Sequence, residues 1–199
     1  ALVPSQWIDA ARSKLHIAYG HTSHGSQITT GMQGLASWKG SQYAYAKFGT
    51  NGALDLRDTP FAGAYDLGNP DRSSWAAATR TYLAANPAVN VVMWSWCGQV
   101  SSATSADIET YLSLMSGLEK DFPAVKFVYM TGHLDGTGLT GNCHLRNEQI
   151  RAYCRANAKI LFDFNDIEMY NPDGVWFGDK KPNDACDYDS DGDGVRDAN

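Results

Sequence analysis

Apolar runs and amphipathic segments alternate along most of the chain, which predicts alternating strands and helices. Short apolar runs with the length and composition of buried strands begin at Leu15, Val89, Val125 and Lys159. Segments with apolar residues at helical spacing predict helices over 5–14, 28–39, 73–86, 105–118 and 145–157. Weaker strand signals lie at 43–48 and 53–56, in a section rich in Gly, Tyr and Asp. This alternation predicts right-handed crossovers and an α/β fold, a three-layer sandwich around a mostly parallel sheet of about five strands.

One stretch changes character within a few residues and is the first candidate for a functional site. The apolar run 15–19 is followed by Gly20 and by a polar turn that contains His21, Ser23 and His24. A helical pattern resumes at Ile28. Ligands of open α/β sheets bind in the crevice outside the carboxyl ends of the strands, so we expect this turn to line such a crevice.

Size and charge limit the classes of partner. With 199 residues, 43% of them hydrophobic, the chain can bury one sizeable core, so we expect a main domain over 1–180 and an acidic tail over 181–199. The 22 acidic residues outnumber the 16 basic residues, and the formal net charge is -6. Nucleic acids and anionic membranes bind clustered Lys and Arg, so neither is an expected partner. No apolar run approaches the roughly 20 residues that span a bilayer.

The cysteine count and the abundance of Gly, Tyr and Trp favour a secreted protein. The four cysteines allow three disulfide pairings if all are oxidised, and their spacing selects none of them; they are Cys97, Cys143, Cys154 and Cys186. Free buried thiols are the alternative, above all for Cys97 at the end of an apolar strand. Residues 1–5 lack the features of a signal peptide, so we expect that any export signal has been removed.

Polar residues with catalytic chemistry follow the predicted core strands. In chain order they are His21, Ser23 and His24; Cys97, Gly98 and Gln99; His133 and Asp135; and Asp163, Asn165 and Asp166. Because the carboxyl ends of parallel strands share one edge of the sheet, we expect these residues to lie close together. They include a serine, histidine bases, carboxylates to orient a base and donors for an oxyanion. The simpler interpretation is that polar residues follow strands because strands end in solvent.

The turn Gly20-His21-Thr22-Ser23-His24-Gly25, directly after the first core strand, resembles the corresponding turn of SGNH (GDSL-like) hydrolases. It is most similar to divergent members in which Gly-His-x-Ser-x-Gly replaces Gly-Asp-Ser. The resemblance implies a flavodoxin-like sheet and an esterase that removes acyl groups, often from carbohydrates, with Ser23 as nucleophile. It also implies that Gln99 takes the place of the family's asparagine as an oxyanion donor. The expected substrate is a small-molecule or polysaccharide ester.

The catalytic base cannot be carried over from the family. SGNH hydrolases place an Asp-x-x-His motif after the last strand, and this sequence has no histidine beyond His144. The candidates for the base are therefore His133, His144 and His24. We favour His133, with Asp135 as the carboxylate that orients its ring.

Two other function classes use the same residues. A metal-dependent hydrolase would bind zinc or another transition metal through His21, His24, His133 and Asp135 or Asp163, although the sequence has no HExxH motif. A carbohydrate-binding module without catalysis would need an aromatic platform, for which the candidates are Trp38, Tyr43, Tyr45, Trp75, Trp94, Trp96 and Trp176.

The acidic tail has the strongest local motif of the chain. Asp189, Asp191 and Asp193 alternate, Gly194 allows a sharp turn, and Asp197 follows. Carboxylates at this spacing match the start of an EF-hand-type loop, so the tail is predicted to bind Ca²⁺ in a structural role. It resembles the calcium repeats of dockerins and of thrombospondin type 3 segments. A solvated acidic tail is the alternative.

Overall fold

The structure, a computed structural model, describes residues 3–197 and has an α/β architecture. Its helices are α1 (Ser5–Lys14), α2 (Ser26–Lys39), α3 (Ser74–Ala85), α4 (Ser105–Asp121), α5 (Asn142–Ala156) and α6 (Phe164–Ile167). Its strands are β1 (His16–Gly20), β2 (Tyr45–Ala46), β3 (Leu54–Asp58), β4 (Val91–Trp94), β5 (Lys126–Met130) and β6 (Ile160–Phe162). All pairings between these strands are parallel, in the order β2-β3-β1-β4-β5-β6. The predicted α/β fold is confirmed, with a sheet of six strands.

The order of the strands reverses at the centre of the sheet. Strand β1 pairs with β3 on one side and with β4 on the other. The chain leaves β1 towards β3 and leaves β4 towards β5, so the loops after β1 and β4 diverge. Such a reversal opens a crevice at the carboxyl ends of the two strands. Ser23 and His24 follow β1, and Cys97 follows β4, so the chain supplies both sides of this crevice.

The main core lies between the sheet and helices α3, α4 and α5. Helix α4 packs between α3 and α5. Apolar side chains of these helices meet those of the central strands, among them Trp75, Leu83, Ile108, Met115, Ile150, Val92, Trp94 and Tyr129. Three tryptophans of the proposed aromatic platform, Trp75, Trp94 and Trp96, are buried here. Trp38 and Trp176 are exposed.

Close packing requires glycine where β1 ends. Gly20 lies opposite Trp94 in the register of β1 and β4. A Cβ atom on Gly20 would lie 2.3 Å from the Trp94 ring, which is buried. The glycine therefore lets the chain pass the indole and turn directly into the segment with Ser23 and His24.

Two departures from the predicted bounds concern candidate site residues. Helix α5 begins at Asn142, earlier than predicted, so His144 lies in its first turn. Strand β6 ends at Phe162, and the short helix α6 follows at once. The carboxylate of Asp163 accepts a hydrogen bond from the N–H of Asp166 (3.3 Å) and caps this helix. Such a local cap competes with continuation of the strand.

The C-terminal segment returns to the carboxyl edge of the sheet. The N–H of Gly136, in the loop after β5, donates to the carbonyl of Pro182 (3.1 Å). The guanidinium of Arg196 donates to the carbonyl of Gly136 (3.2 Å). These contacts carry Asp184 to the crevice between β1 and β4. None of the helices in the described part of the chain has the length and apolarity to cross a membrane.

Candidate functional site

His24 lies between a carboxylate and a thiol in the crevice. Its Nε2 is hydrogen bonded to the carboxylate of Asp184. A carboxylate can only accept, so Nε2 carries the proton, and in the neutral ring Nδ1 holds the lone pair. This Nδ1 lies 3.7 Å from Sγ of Cys97. The arrangement is a thiol, a base and a carboxylate that orients the base.

The carboxylate of Asp184 is stabilised in its ionised form. Burial opposes ionisation, but the hydrogen bond from His24 and the charges of His24 and His133 outweigh it, so the pKa of Asp184 is lowered. The side chain of His24 is 19% exposed and that of Asp184 is 40% exposed. Asp184 therefore remains ionised at neutral pH, and solvent reaches the pair.

A second histidine stacks on the first. The rings of His24 and His133 have centroids 3.7 Å apart and planes 19° apart. Nδ1 of His133 donates to the carbonyl of Leu134 (2.6 Å), so Nε2 holds the lone pair. This Nε2 is buried and has no hydrogen-bond partner among the described residues. Burial lowers the pKa of His133 and so favours its neutral form.

Ser23 occupies a strained and exposed position. It begins the 3₁₀ helix Ser23–Gly25, and its φ of 38° is in the left-handed region, which is unfavourable for a residue with a side chain. The carbonyl of Ser23 accepts a hydrogen bond from Oγ of Ser26 (2.6 Å). Within the described residues, Oγ of Ser23 has no hydrogen-bond partner. The backbone thus presents Ser23 to solvent directly beside His24.

Gln99 connects Cys97 to a buried carboxylate. Its Oε1 accepts from the N–H of Cys97 (2.8 Å), and its Nε2 donates to Asp66 (3.1 Å). Asp66 is 1% exposed and also accepts from Oγ1 of Thr22 and from the N–H of Gly68 (2.8 Å). The predicted oxyanion donor therefore fixes the loops after β1 and β4 to each other.

Asp135 does not hold the ring of His133. Its Oδ1 accepts from the N–H (3.0 Å) and from the hydroxyl (2.6 Å) of Thr137, which closes a local turn. The backbone carbonyl of Leu134 takes the place that was predicted for Asp135. The charge of Asp135 acts on His133 only as a minor influence that raises its pKa.

Glu168 supports the loop that contains His133. It is 8% exposed, and its Oε2 accepts from the N–H of Leu134 (2.8 Å). Burial raises the pKa of Glu168 to about 7, against the effect of this hydrogen bond and together with the charge of Asp184. A carboxyl group that changes charge near neutral pH therefore lies against the loop that contains His133.

His21 belongs to a separate pair beside a cavity. Its Nε2 lies 2.6 Å from Oδ1 of Asp58, and its side chain is 7% exposed. The neighbouring cavity has a volume of about 300 Å³ and is lined by Gly20, His21, Thr59, Phe61, Ala64, Tyr65 and Trp94. This volume is at the lower end of the range for small-molecule sites.

The remaining predicted residues are dispersed. Asp163 forms a two-point contact with Arg151 (2.7 and 2.8 Å) and does not reach the histidines. His144 lies in α5, beside a separate small void next to Leu134 and Met169. All four cysteines are free.

The acidic tail forms a loop with converging carboxylates. One carboxylate oxygen from each of Asp189, Asp191 and Asp193 lies within 4.8 Å of the others. Asp189 accepts from the N–H groups of Gly192 (2.7 Å) and Gly194 (2.9 Å). Asp197, the fourth predicted ligand, instead accepts from the N–H of Ser190 (3.0 Å) and closes the loop.

Comparison with known proteins adds no relative. A scan against protein-family models and a search of curated proteins find no match to this chain. Membership of the SGNH hydrolases stays a prediction that rests on the turn at Ser23. The site must be interpreted from its own geometry.

Sequence reasoning missed two contacts of this site. Asp184 was treated as part of an acidic tail, and no local pattern distinguishes it from its acidic neighbours. Cys97 is among the residues predicted at the strand ends, with a free buried thiol as the alternative, but the sequence did not pair it with His24. Its position shortly after β4 was the signal for its place at this edge of the sheet.

Proposed function

We propose that this chain hydrolyses acyl esters through a covalent intermediate, with His24 as the general base and Asp184 as the residue that orients it. The observation that carries the proposal is the hydrogen bond between Nε2 of His24 and Asp184. It fixes the tautomer so that the lone pair of Nδ1 faces the crevice, as a general base requires. The ionised carboxylate also stabilises the imidazolium that forms when the base takes a proton.

The surroundings of His24 support the same reaction. The N–H groups of Ser23 and Gly98 begin short 3₁₀ helices and lack partners within those helices, so they are available to an oxyanion. A separate cavity beside His21, which His24 does not line, has room for an acyl group or a sugar ring. A polysaccharide ester therefore remains the substrate class that we favour.

The attacking atom is a separate question, because two nucleophilic side chains lie next to His24. The resemblance to SGNH hydrolases assigns attack to Ser23, which is exposed and strained directly before the base. The thiol of Cys97 faces the lone pair of the base. Both side chains give the same overall reaction with the same base.

The experiment is hydrolysis of p-nitrophenyl acetate and of acetylated xylan by the wild type and His24→Gln. We expect His24→Gln to lower kcat/KM by about 10³-fold or more, because the base is lost. His16→Gln is the matched control. His16 also forms a histidine–carboxylate pair, with Asp55 (2.8 Å), but at the amino end of β1. Equal activity of His24→Gln and His16→Gln would refute the proposal, whereas glycan binding without turnover would favour a binding module.

A metal-dependent hydrolase is a second candidate function. It is favoured by one observation: donor atoms of His24, His133 and Asp184 lie within 4.8 Å of one another. Imidazole nitrogens and a carboxylate are a suitable donor set for zinc, and Nε2 of His133 is free to bind. Loss of activity after chelation and its return with zinc, but not with calcium, would establish this candidate in place of the covalent mechanism.

For the acidic tail we propose a structural Ca²⁺ site. The alternate spacing of Asp189, Asp191 and Asp193 and the convergence of their carboxylates support it. Asp197, the fourth predicted ligand, closes the loop through Ser190 and is not one of the converging carboxylates. A calcium ion here would stabilise the C-terminal segment that also contains Asp184.

A further inference from the structure

We propose that the nucleophile of this site is the thiol of Cys97, so that Cys97, His24 and Asp184 form a catalytic triad. This inference rests on the proposed function and names its attacking atom. It differs from the assignment that the resemblance implies, in which Ser23 attacks.

The hydrogen-bond geometry of His24 carries the inference. The proton on Nε2 is directed to Asp184, so only Nδ1 can accept a proton from a nucleophile. Nδ1 is 3.7 Å from Sγ of Cys97, a hydrogen-bond distance for the larger sulfur atom. Oγ of Ser23 has no such contact among the described residues. The base is therefore aligned with the thiol.

The backbone at Cys97 is held in place for this role. Gln99 accepts the N–H of Cys97 (2.8 Å) and donates to the buried carboxylate of Asp66 (3.1 Å). Asp66 in turn binds the hydroxyl of Thr22, two residues before His24. One buried carboxylate thus fixes the loop of the nucleophile to the loop of the base, as preorganised catalysis requires.

The other cysteines lack this environment. Sγ of Cys143 donates to the carbonyl of His133 (3.2 Å), and burial raises the pKa of Cys143 to about 12. Burial likewise raises the pKa of Cys154 to about 11. Cys186 is exposed, and its pKa is also raised. Because the thiolate is the reactive form, these thiols are poor nucleophiles. Among the described residues, Cys97 is the cysteine whose Sγ contacts a histidine ring nitrogen.

The chemistry balances without an oxidant or a metal. Nδ1 of His24 takes the proton of Cys97 as Sγ attacks the ester carbonyl carbon, and the C–O bond to the alcohol then breaks. The proton passes from His24 to the leaving alkoxide, which leaves a thioester on Cys97. His24 then takes a proton from water, the hydroxide attacks the thioester, and the C–S bond breaks to release the acid. The proton returns to Cys97.

The test compares single variants of the full chain in p-nitrophenyl acetate hydrolysis. We expect Cys97→Ala to lower kcat/KM by about 10³-fold or more, and Ser23→Ala, which removes Oγ but keeps the backbone N–H, to lower it by no more than about tenfold. Cys97→Ser keeps the size of the side chain and is included in case Cys97→Ala folds poorly; we expect it to be nearly inactive as well. Cys186→Ser is the control for loss of an exposed thiol and should retain activity.

Alkylation gives a readout that is independent of turnover. Iodoacetamide should modify Cys97 in the wild type in parallel with the loss of activity, and the rate should fall about tenfold or more in His24→Gln, which lacks the base. If Ser23→Ala is inactive and Cys97→Ala is active, the thiol assignment is wrong while the proposed base stands. If His24→Gln retains full activity, the proposed function itself fails. If alkylation of Cys97 leaves activity unchanged, the thiol is not the nucleophile.

Discussion

At the scale of single residues, Asp184 determines which nitrogen of His24 can accept a proton. An imidazole has two nitrogens, and the one that is free to accept a proton depends on the partner of the other. Asp184 binds Nε2 and leaves Nδ1 for the nucleophile. His133 is fixed in the opposite sense, with Nδ1 donating to Leu134 and Nε2 free. Two rings whose hydrogen-bond partners differ therefore stack in the crevice.

Asp184→Asn changes the group that fixes the tautomer of His24. The amide can donate to Nε2 and favour the other tautomer, so we expect kcat/KM for an acyl ester to fall by about 10²–10⁴-fold with a small change in stability. Steady-state kinetics and urea unfolding measure the two effects. Asp187→Asn, three residues further along the same segment, is the control and should behave as the wild type. An active Asp184→Asn would show that the carboxylate does not orient the base.

Glu168 makes stability depend on pH. Its pKa is about 7 in the folded protein and 4.5 in the reference state, so the folded protein binds the proton more tightly between these values. The free energy of unfolding should therefore fall as pH rises from about 5 to about 8, by up to about 3 kcal/mol from this residue. Glu168→Gln should flatten this dependence in urea unfolding experiments. Glu109→Gln, at an exposed position on α4, should not, and equal slopes for both variants would contradict the assignment.

At the scale of elements, the strand order positions the site. The loops after β1 and β4 diverge because the chain leaves the two strands in opposite directions. Asp66 and Gln99 then tie these loops together across the crevice. The glycine at the end of β1 is part of the same arrangement, because it allows the turn to start against Trp94.

Gly20→Ala tests this packing. The new Cβ would overlap the Trp94 ring, which is held in the core, so we expect a loss of about 1–3 kcal/mol in the free energy of unfolding. Gly31→Ala in α2 is the matched control. Apart from its chain neighbours and the backbone of its own helix, no described atom lies within 4 Å of the added methyl there, and higher helix propensity should raise stability by about 0.5–1 kcal/mol. Chemical denaturation measures both values. Similar effects of the two substitutions would show that Gly20 is not packed tightly against the Trp94 ring.

The sequence predicted the strands and helices more accurately than the contacts between side chains. Hydrophobic periodicity located β1, β4 and β5 and most helices, because these elements bury a continuous or amphipathic face. It missed α6, since Asp163 caps that helix where the pattern still reads as a strand. It placed Ser23, His24 and His133 at one edge, because parallel strands bring their carboxyl ends together. It gave His133 the wrong partner, because a backbone carbonyl replaces the expected Asp135.

At the scale of the whole molecule, the C-terminal segment contributes to the site. The contact between His24 and Asp184 spans 160 positions of the chain. Local composition carries no signal for such a contact, and for this reason Asp184 was not among the predicted site residues. The loop of Asp189, Asp191 and Asp193 lies in the same segment, and Arg196 and Pro182 attach the segment to Gly136. A change that orders the C-terminal segment should therefore also help to position Asp184 beside His24.

Calcium should act through this link. If the acidic loop binds Ca²⁺, the ion raises Tm, and chelation with EDTA lowers both Tm and esterase activity. Asp191→Asn combined with Asp193→Asn should abolish the calcium-dependent shift in Tm. Asp173→Asn, an exposed acidic position in a turn, should leave the shift intact. A Tm that does not respond to calcium in the wild type would rule out the structural ion.

The position of the acyl group on the protein is the most direct test of the triad. The wild type is mixed with p-nitrophenyl acetate, quenched in acid, digested and analysed by mass spectrometry. We expect an acetyl group on the peptide that contains Cys97. An acetyl group on Ser23 with none on Cys97, or turnover without any acyl-protein, would contradict the triad of Cys97, His24 and Asp184.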